Sequence, residues 1–208
     1  KRIPQSRFDM AKRRPRPDWQ ADALQAIAAL KAGKLLLHPT DTVWGLAAMP
    51  TDESALRSMN RLKGRAEETP LLLLVADEGS LDRLLPDLPE GAWSLIETSD
   101  RPVTLVGSPK LPHSFPPVCY GSDGRLAVRW VQEDPYTQFV IRGVGGVLAS
   151  TSANAHGTET PKRMDDLSPA IRAGVGHVAD HRRSEVLDGR PSMMVGFDQN
   201  GRFSLLRD

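Results

Sequence analysis

The chain has 208 residues, 27 Lys plus Arg against 26 Asp plus Glu, 39% hydrophobic residues and one cysteine, Cys119. A single cysteine excludes a disulfide framework and a cysteine-rich zinc site, and it points to a reducing compartment, with the cytoplasm the expected location. The longest apolar run, Leu71 to Ala76, is far short of the roughly 20 residues a membrane helix needs, so no membrane association is expected.

Charge is unevenly distributed. Residues 1–17 hold Lys1, Arg2, Arg7, Lys12, Arg13, Arg14 and Arg16 against Asp9 alone, a local charge of +6, while the remainder holds 20 basic and 25 acidic side chains. With Pro4, Pro15 and Pro17, this predicts a flexible basic arm able to touch RNA or an acidic partner. Residues 18–208 are long enough for one domain with a sizeable core.

In chain order, Asp18 is placed to cap a helix carrying Trp19, Ala23, Ala26, Ile27 and Leu30 at helical spacing, with Gly33 as its stop. Lys34 to His38 reads as a short buried strand. Thr51 or Asp52 opens a second helix with Ala55, Leu56, Met59 and Leu62 on one face, closed by Lys63-Gly64-Arg65. Leu71 to Val75 is a buried strand, followed by short helices near Leu81 to Leu85 and Ala92 to Glu97. Strands are expected at Val103 to Val106 and Leu126 to Trp130, with the proline-rich stretch Pro109 to Pro117 as an irregular loop between them. Tyr136 to Arg142 and Met164 to Ala173 read as helices, Val147 to Ser150 and Val175 to Ala179 as strands. Met193 to Phe197 and Arg202 to Leu206 flank Gln199-Asn200-Gly201, a hairpin signal. The pattern predicts an α/β domain around a twisted mixed sheet flanked by helices.

Several common sites are excluded by missing groups. No G-x-x-x-x-G-K-[ST] loop occurs, and Gly143-Val144-Gly145-Gly146 does not complete G-x-G-x-x-G because Leu148 holds the last position. The five histidines show no paired metal spacing, so no metal ligands are assigned. Three polar segments remain where an element has just ended. Pro39-Thr40-Asp41-Thr42-Val43-Trp44-Gly45 follows a strand, where open α/β sheets place ligands, although its hydroxyls also suit a turn. Lys63-Gly64-Arg65 sets two cations at a helix end, suited to polyphosphate oxygens or to the helix dipole. Ser150-Thr151-Ser152-Ala153-Asn154 leaves small neighbours around hydroxyls, suited to a phosphate, a carboxylate or a helix cap.

In this order and spacing the chain resembles the Sua5/YciO/YrdC family, specifically its L-threonylcarbamoyladenylate synthases of tRNA modification. The resemblance rests on Pro39 to Leu46, Lys63-x-Arg65, Leu126-Ala127-Val128-Arg129, Ser150 to Asn154 with Gly157, and Pro191-Ser192 ahead of Leu205-Leu206-Arg207. It implies a single domain with a concave cationic cavity. It also implies formation of threonylcarbamoyl-AMP and pyrophosphate from L-threonine, bicarbonate or CO2, and ATP with Mg2+. Separate transfer enzymes then carry the group to N6 of adenosine 37 in tRNAs reading ANN codons, and tRNA itself is a candidate partner. Carried over by matching position, Thr40, Thr42, Arg129, Ser150 and Ser192 contact threonine. Lys63 and Arg65 hold the ATP phosphates as the catalytic cations, and Ser152, Asn154 and Arg207 line the nucleotide side. A rival from another class is a double-stranded RNA or nucleotide-binding protein using the same concavity, which the acidic balance of the body opposes. The chain departs from the family at Trp44 (often Tyr), Asp100-Arg101-Pro102 (often Pro-Gly-Pro), Leu74 (a histidine in some members), Arg125 (a threonine in some) and Met193-Met194.

Overall fold

The computed structural model describes residues 18–110, 115–198 and 201–208. The basic arm, the middle of the proline-rich loop and the first two residues of the expected Gln-Asn-Gly turn lie outside them.

The elements run α1 (Gln20–Lys31), β1 (Leu36–Pro39), β2 (Trp44–Ala48), α2 (Glu53–Leu62), β3 (Leu72–Val75), α3 (Glu78–Leu84), α4 (Glu90–Thr98), β4 (Val103–Gly107), β5 (Leu126–Trp130), α5 (Pro135–Gly143), β6 (Val147–Ser152), α6 (Pro169–Ala173), β7 (His177–Val178), β8 (Met193–Phe197) and β9 (Phe203–Arg207). All nine strands join one mixed sheet in the order β7-β1-β2-β6-β3-β5-β4-β8-β9. The α/β class and mixed sheet are as expected from the sequence.

The helices start and stop for identifiable reasons. Asp52 accepts the Ala55 amide at 3.0 Å to open α2, and Gly64 supplies the left-handed turn after it at φ 69°. Asp134 accepts the Thr137 amide at the start of α5, where Pro135 takes the first helical position. Gly33 closes α1 at φ 73°, as anticipated. Asp18 does not cap that helix: its carboxylate takes the neighbouring Trp19 amide, and α1 begins without a side-chain cap. The expected Met164 to Ala173 helix is interrupted, a 3₁₀ turn at Met164–Asp166 preceding the short α6 that starts at Pro169.

The largest departure is β2. The segment after β1 turns back at once, so that Leu36 pairs with Ala47 and Pro39 with Trp44 in an antiparallel hairpin. The turn carries no Asn-Gly or Gly-Gly signal. It is closed instead by Thr40, whose hydroxyl donates to the Val43 carbonyl at 2.8 Å and accepts the amides of Thr42 and Val43. The polar segment is thus a hairpin turn in a largely antiparallel region, the role its hydroxyls suited in the sequence.

Strand alternation sorts residues onto two faces. One face places Trp44, Leu46, Leu73, Leu105, Val128 and Ala149 against α2, α3, α4 and α6 in the main core. The other is covered only in part: Leu36, Ala47, Leu74 and Leu148 pack under α1 and α5. The rest of that face carries small and polar side chains and forms the floor of a cleft.

Candidate active site

Two recesses meet over the partly covered face. The first, about 150 Å³, is lined by Thr40, Thr42, Gly45, Arg65, Arg129, Ser150, Ser152, Ser192 and Arg207, among others. The second, about 390 Å³, adds apolar walls from Pro70, Val106, Met194 and Leu206, and shares Arg65, Ser150 and Arg207 with the first. Three guanidinium groups and a set of hydroxyls therefore converge on one cleft from distant parts of the chain.

The register explains the convergence. Gly45 on β2 faces Ser152 on β6, Ala47 faces Ser150, and Arg129 on β5 lies between Leu74 on β3 and Thr104 on β4. Residues directly opposite in adjacent strands share a face, so alternate positions of five strands bring serines, a threonine and an arginine to the same surface.

Arg129 is buried and held on two sides. Its Nη1 donates to Thr42 Oγ1 at 3.0 Å, and Nη2 lies 3.1 Å from Asp41 Oδ1 as an ion pair. Its Nε has no partner. The hairpin turn that presents Asp41 and Thr42 is fixed from outside, because Arg182 donates to the Thr40 carbonyl and the Gly189 amide donates to that of Thr42. At the far wall Ser192 Oγ lies 2.7 Å from Thr104 Oγ1, and Arg207 on β9 donates to the Ser192 carbonyl at 3.0 Å. Burial, then the charges of Arg129 and Arg101, lower the Arg207 pKa.

Lys63 and Arg65 are oriented differently. The Lys63 ammonium donates to the Ser152 carbonyl, to the Asn154 carbonyl at 2.5 Å and to Asn154 Oδ1 at 3.2 Å, fastening the loop after β6 to the end of α2. Asn154 also accepts from Ser152 Oγ and donates to the Thr158 carbonyl. Burial, then the Arg65 charge, push the Lys63 pKa down to about 7. Arg65 instead lines both recesses. Its Nε donates to Asn60 Oδ1 at 2.7 Å while one buried Nη has no partner, and burial lowers its pKa. An unpaired buried donor on a permanently charged group is costly and well suited to an incoming anion.

Three contributors were not anticipated from sequence. Asn60 donates to the Glu67 and Thr69 carbonyls while receiving Arg65, which ties the segment after α2 to that guanidinium. Its signal is an amide on the otherwise apolar buried face of α2. Asp41 lies inside the first motif but enters only as the partner of Arg129. His38, on β1, is fully buried with Nε2 unpartnered.

A family model described as "Telomere recombination", covering the Sua5, YciO and YrdC proteins, matches residues 28–208. The chain belongs to the Sua5/YciO/YrdC family. It is 30% identical over 161 residues, 74% of this chain and 83% of the relative, to a threonylcarbamoyl-AMP synthase of Acinetobacter baylyi. Among solved structures, a P. abyssi Sua5 complexed with L-threonine superposes with a TM-score of 0.78 at 26% identity, covering 92% of this chain and 55% of that one. E. coli YciO superposes at 0.76 and 17% identity over 92% of this chain and 90% of that one, which supports the fold.

The departures from the family pattern divide between the core and the cleft, where Arg125 and Met194 line the second recess. Trp44 points into the main core. Leu74 packs under α1 and α5, at the boundary between the covered and open parts of the face. Arg125 lines the second recess and is paired with Asp123 at 2.7 Å.

Proposed function

We propose that this protein synthesises threonylcarbamoyl-AMP and pyrophosphate from L-threonine, bicarbonate or CO2, and ATP, supplying an activated group to the enzymes that modify adenosine 37 of tRNA. The observation that carries this reading is the convergence of Arg65, Arg129 and Arg207 with Thr40, Thr42, Ser150, Ser152 and Ser192 on one cleft that joins a polar recess to a more apolar one. Its support is the family membership and the synthases among its relatives.

The two recesses suggest how the substrates divide. Arg129, flanked by Thr42, offers a charge-assisted contact to an amino-acid carboxylate in the polar recess, in competition with Asp41. The apolar walls suit a nucleoside. Arg65 and Arg207 line both recesses and so address the phosphates at the junction. Lys63 fixes the Ser152 to Asn154 loop against that junction, and an approaching phosphate favours its charged form.

In the proposed reaction, threonine's amine adds to the carbon of CO2 with loss of a proton, or to that of bicarbonate with loss of water, to give a carbamate. A carbamate oxygen then attacks the α-phosphorus, and the bond to pyrophosphate breaks. Negative charge grows on phosphate oxygens, where the fixed guanidiniums stabilise it without reorganising. Holding three reactants in one cleft provides the rest. Among the described residues no group of three or more His, Cys, Asp or Glu could hold a metal ion. Mg2+ is therefore proposed to arrive on the triphosphate, bound by phosphate oxygens and water. The test is incubation with ATP, Mg2+, bicarbonate and labelled L-threonine. Labelled threonylcarbamoyl-AMP and pyrophosphate that require every component support the proposal, and their absence with protein shown to be folded refutes it. Convergence of the cations in a cleft suits a small polyanion better than a duplex, so salt-sensitive retention of double-stranded RNA is not expected.

A further inference from the structure

Behind the β2 wall of the cleft lies a polar chain that none of the roles above uses. Asp134 Oδ2 accepts the Thr137 hydroxyl at 2.8 Å, and Thr137 Oγ1 lies 3.3 Å from His38 Nδ1. A carboxylate only accepts, so the Thr137 proton goes to Asp134 and its oxygen is left to accept from His38 Nδ1–H. That fixes the tautomer: Nε2 carries the lone pair. Nε2 is buried and has no partner.

The direction of that lone pair is marked by Gly45, which faces His38 across the β1–β2 pair and lines the polar recess. An atom at the Cβ position that Gly45 lacks would lie 3.5 Å from His38 Nε2, 3.5 Å from Ser150 Oγ and 3.4 Å from Thr40 Cγ2. The cleft floor at Gly45 is thus flanked by one acceptor, one hydroxyl and one methyl group, all within contact range of that position. A substrate side chain bearing both a hydroxyl and a methyl matches it, the hydroxyl toward Nε2 and the methyl toward Thr40.

We infer that His38 Nε2, reached past Gly45, accepts a hydrogen bond from the side-chain hydroxyl of the amino-acid substrate, and that Thr137 and Asp134 are positioning residues for its tautomer. This inference rests on the proposed amino-acid site. The imidazole remains neutral under physiological conditions: burial, then the charge of Arg129, lower its pKa to about 4, with His181 acting the same way and Asp41 and the Pro39 backbone opposing. A neutral acceptor of this kind discriminates by the hydroxyl and does not repel the nearby guanidinium.

The test compares L-threonine with L-2-aminobutyrate, which keeps the methyl group and lacks the hydroxyl, by calorimetric binding to the full chain. Wild type is expected to favour threonine by about tenfold or more, the scale of one buried hydrogen bond. His38→Phe, which preserves an aromatic ring beside Tyr136, is expected to bring the two affinities within about threefold while leaving the ATP affinity unchanged. Gly45→Ala, whose new methyl makes only ordinary contacts, is expected to weaken threonine binding without lowering the melting temperature. A purely structural histidine would alter the melting temperature of His38→Phe and leave the ratio unchanged, which overturns the inference. Should that variant fail to fold, the ¹⁵N resonance of His38 Nε2 in wild type decides: a shift on saturation with threonine but not with 2-aminobutyrate supports the contact, and no shift overturns it. Wild type that binds neither amino acid refutes the proposed site itself, an outcome distinct from lost discrimination in a variant.

Discussion

Two parts of one sheet surface have opposite fates. Under α1 and α5, Leu36, Ala47, Leu74 and Leu148 are sealed in an apolar layer. Two or four residues further along the same strands, Gly45, Ser150 and Ser152 occupy equivalent positions and face a cleft, as does Arg129 one strand over from Leu74. The difference is set by the side chains at alternate positions, since both parts share the same backbone ladder. An open sheet surface made of leucines would form a sticky patch. Made of glycine, serine and arginine it remains stable in water and forgoes burial, so stability must come from the fully covered opposite face.

The sharpest way to break this comparison is to truncate the face that carries the load. Leu73→Ala, in the central strand β3 and fully buried, is expected to destabilise the fold by about 2–5 kcal/mol in urea melts. Ser150→Ala on the open part is expected to change stability by less than about 1 kcal/mol. Similar losses at the two positions would show that the open floor is structural.

Titration gives the next largest effect and concerns the border between the two parts. His38 prefers the neutral form when folded, with its pKa lowered to about 4 by burial and then by Arg129. Its stabilising contribution is complete above the ordinary histidine pKa near 6.5 and is lost as pH falls toward 4, because the unfolded chain then binds the extra proton. The total is on the order of 3 kcal/mol. It is read as the difference between wild type and His38→Phe in melts from pH 7 to pH 4, and parallel curves would contradict it.

On the open part, Arg65→Ala is expected to reduce turnover by about a hundredfold or more, equivalent to about 2.7 kcal/mol of transition-state stabilisation, measured by pyrophosphate release. Arg65→Lys keeps the charge but loses the planar fork and is expected to recover only part of it. Lys63→Ala is expected to be similarly inactive through release of the Ser152 to Asn154 loop. Because the Lys63 pKa is pushed down to about 7, ATP affinity is expected to weaken as pH rises past that value and the ammonium loses its proton. A smaller effect on activity is expected from Asn60→Ala: an increase in KM for ATP as Arg65 loses its anchor, with a stability loss of about 1–3 kcal/mol from unpaired carbonyls.

Much of this arrangement was legible in the sequence because it depends on local pattern. The apolar runs of β3 and β6, the Asp52 cap of α2 and the stop at Gly33 are short-range signals. The hydroxyls of Thr40, Thr42, Ser150 and Ser152 stood out because they follow directly on buried strands, and Lys63 and Arg65 because they close a helix, whereas Arg129, Ser192 and Arg207 were placed by the family resemblance alone. The β1–β2 hairpin was missed because its turn is built by a threonine hydroxyl instead of glycine or asparagine. The His38 to Thr137 contact was missed for a different reason: it spans 99 residues, and no local periodicity reports which distant helix start a buried imidazole will meet. The contact between Asp41 and Arg129 was missed for the same reason, since only the folded sheet brings the two together.

Arg207 belongs to β9, which borders β8 on one side and no other strand, and the register between them slips at Met194 and Val195. Outermost strands fray first, so amide exchange is expected to be faster there than in β3 or β6. The guanidinium that closes the cleft thus rides on an edge strand, so that wall is expected to open more readily than the central strands that carry the floor.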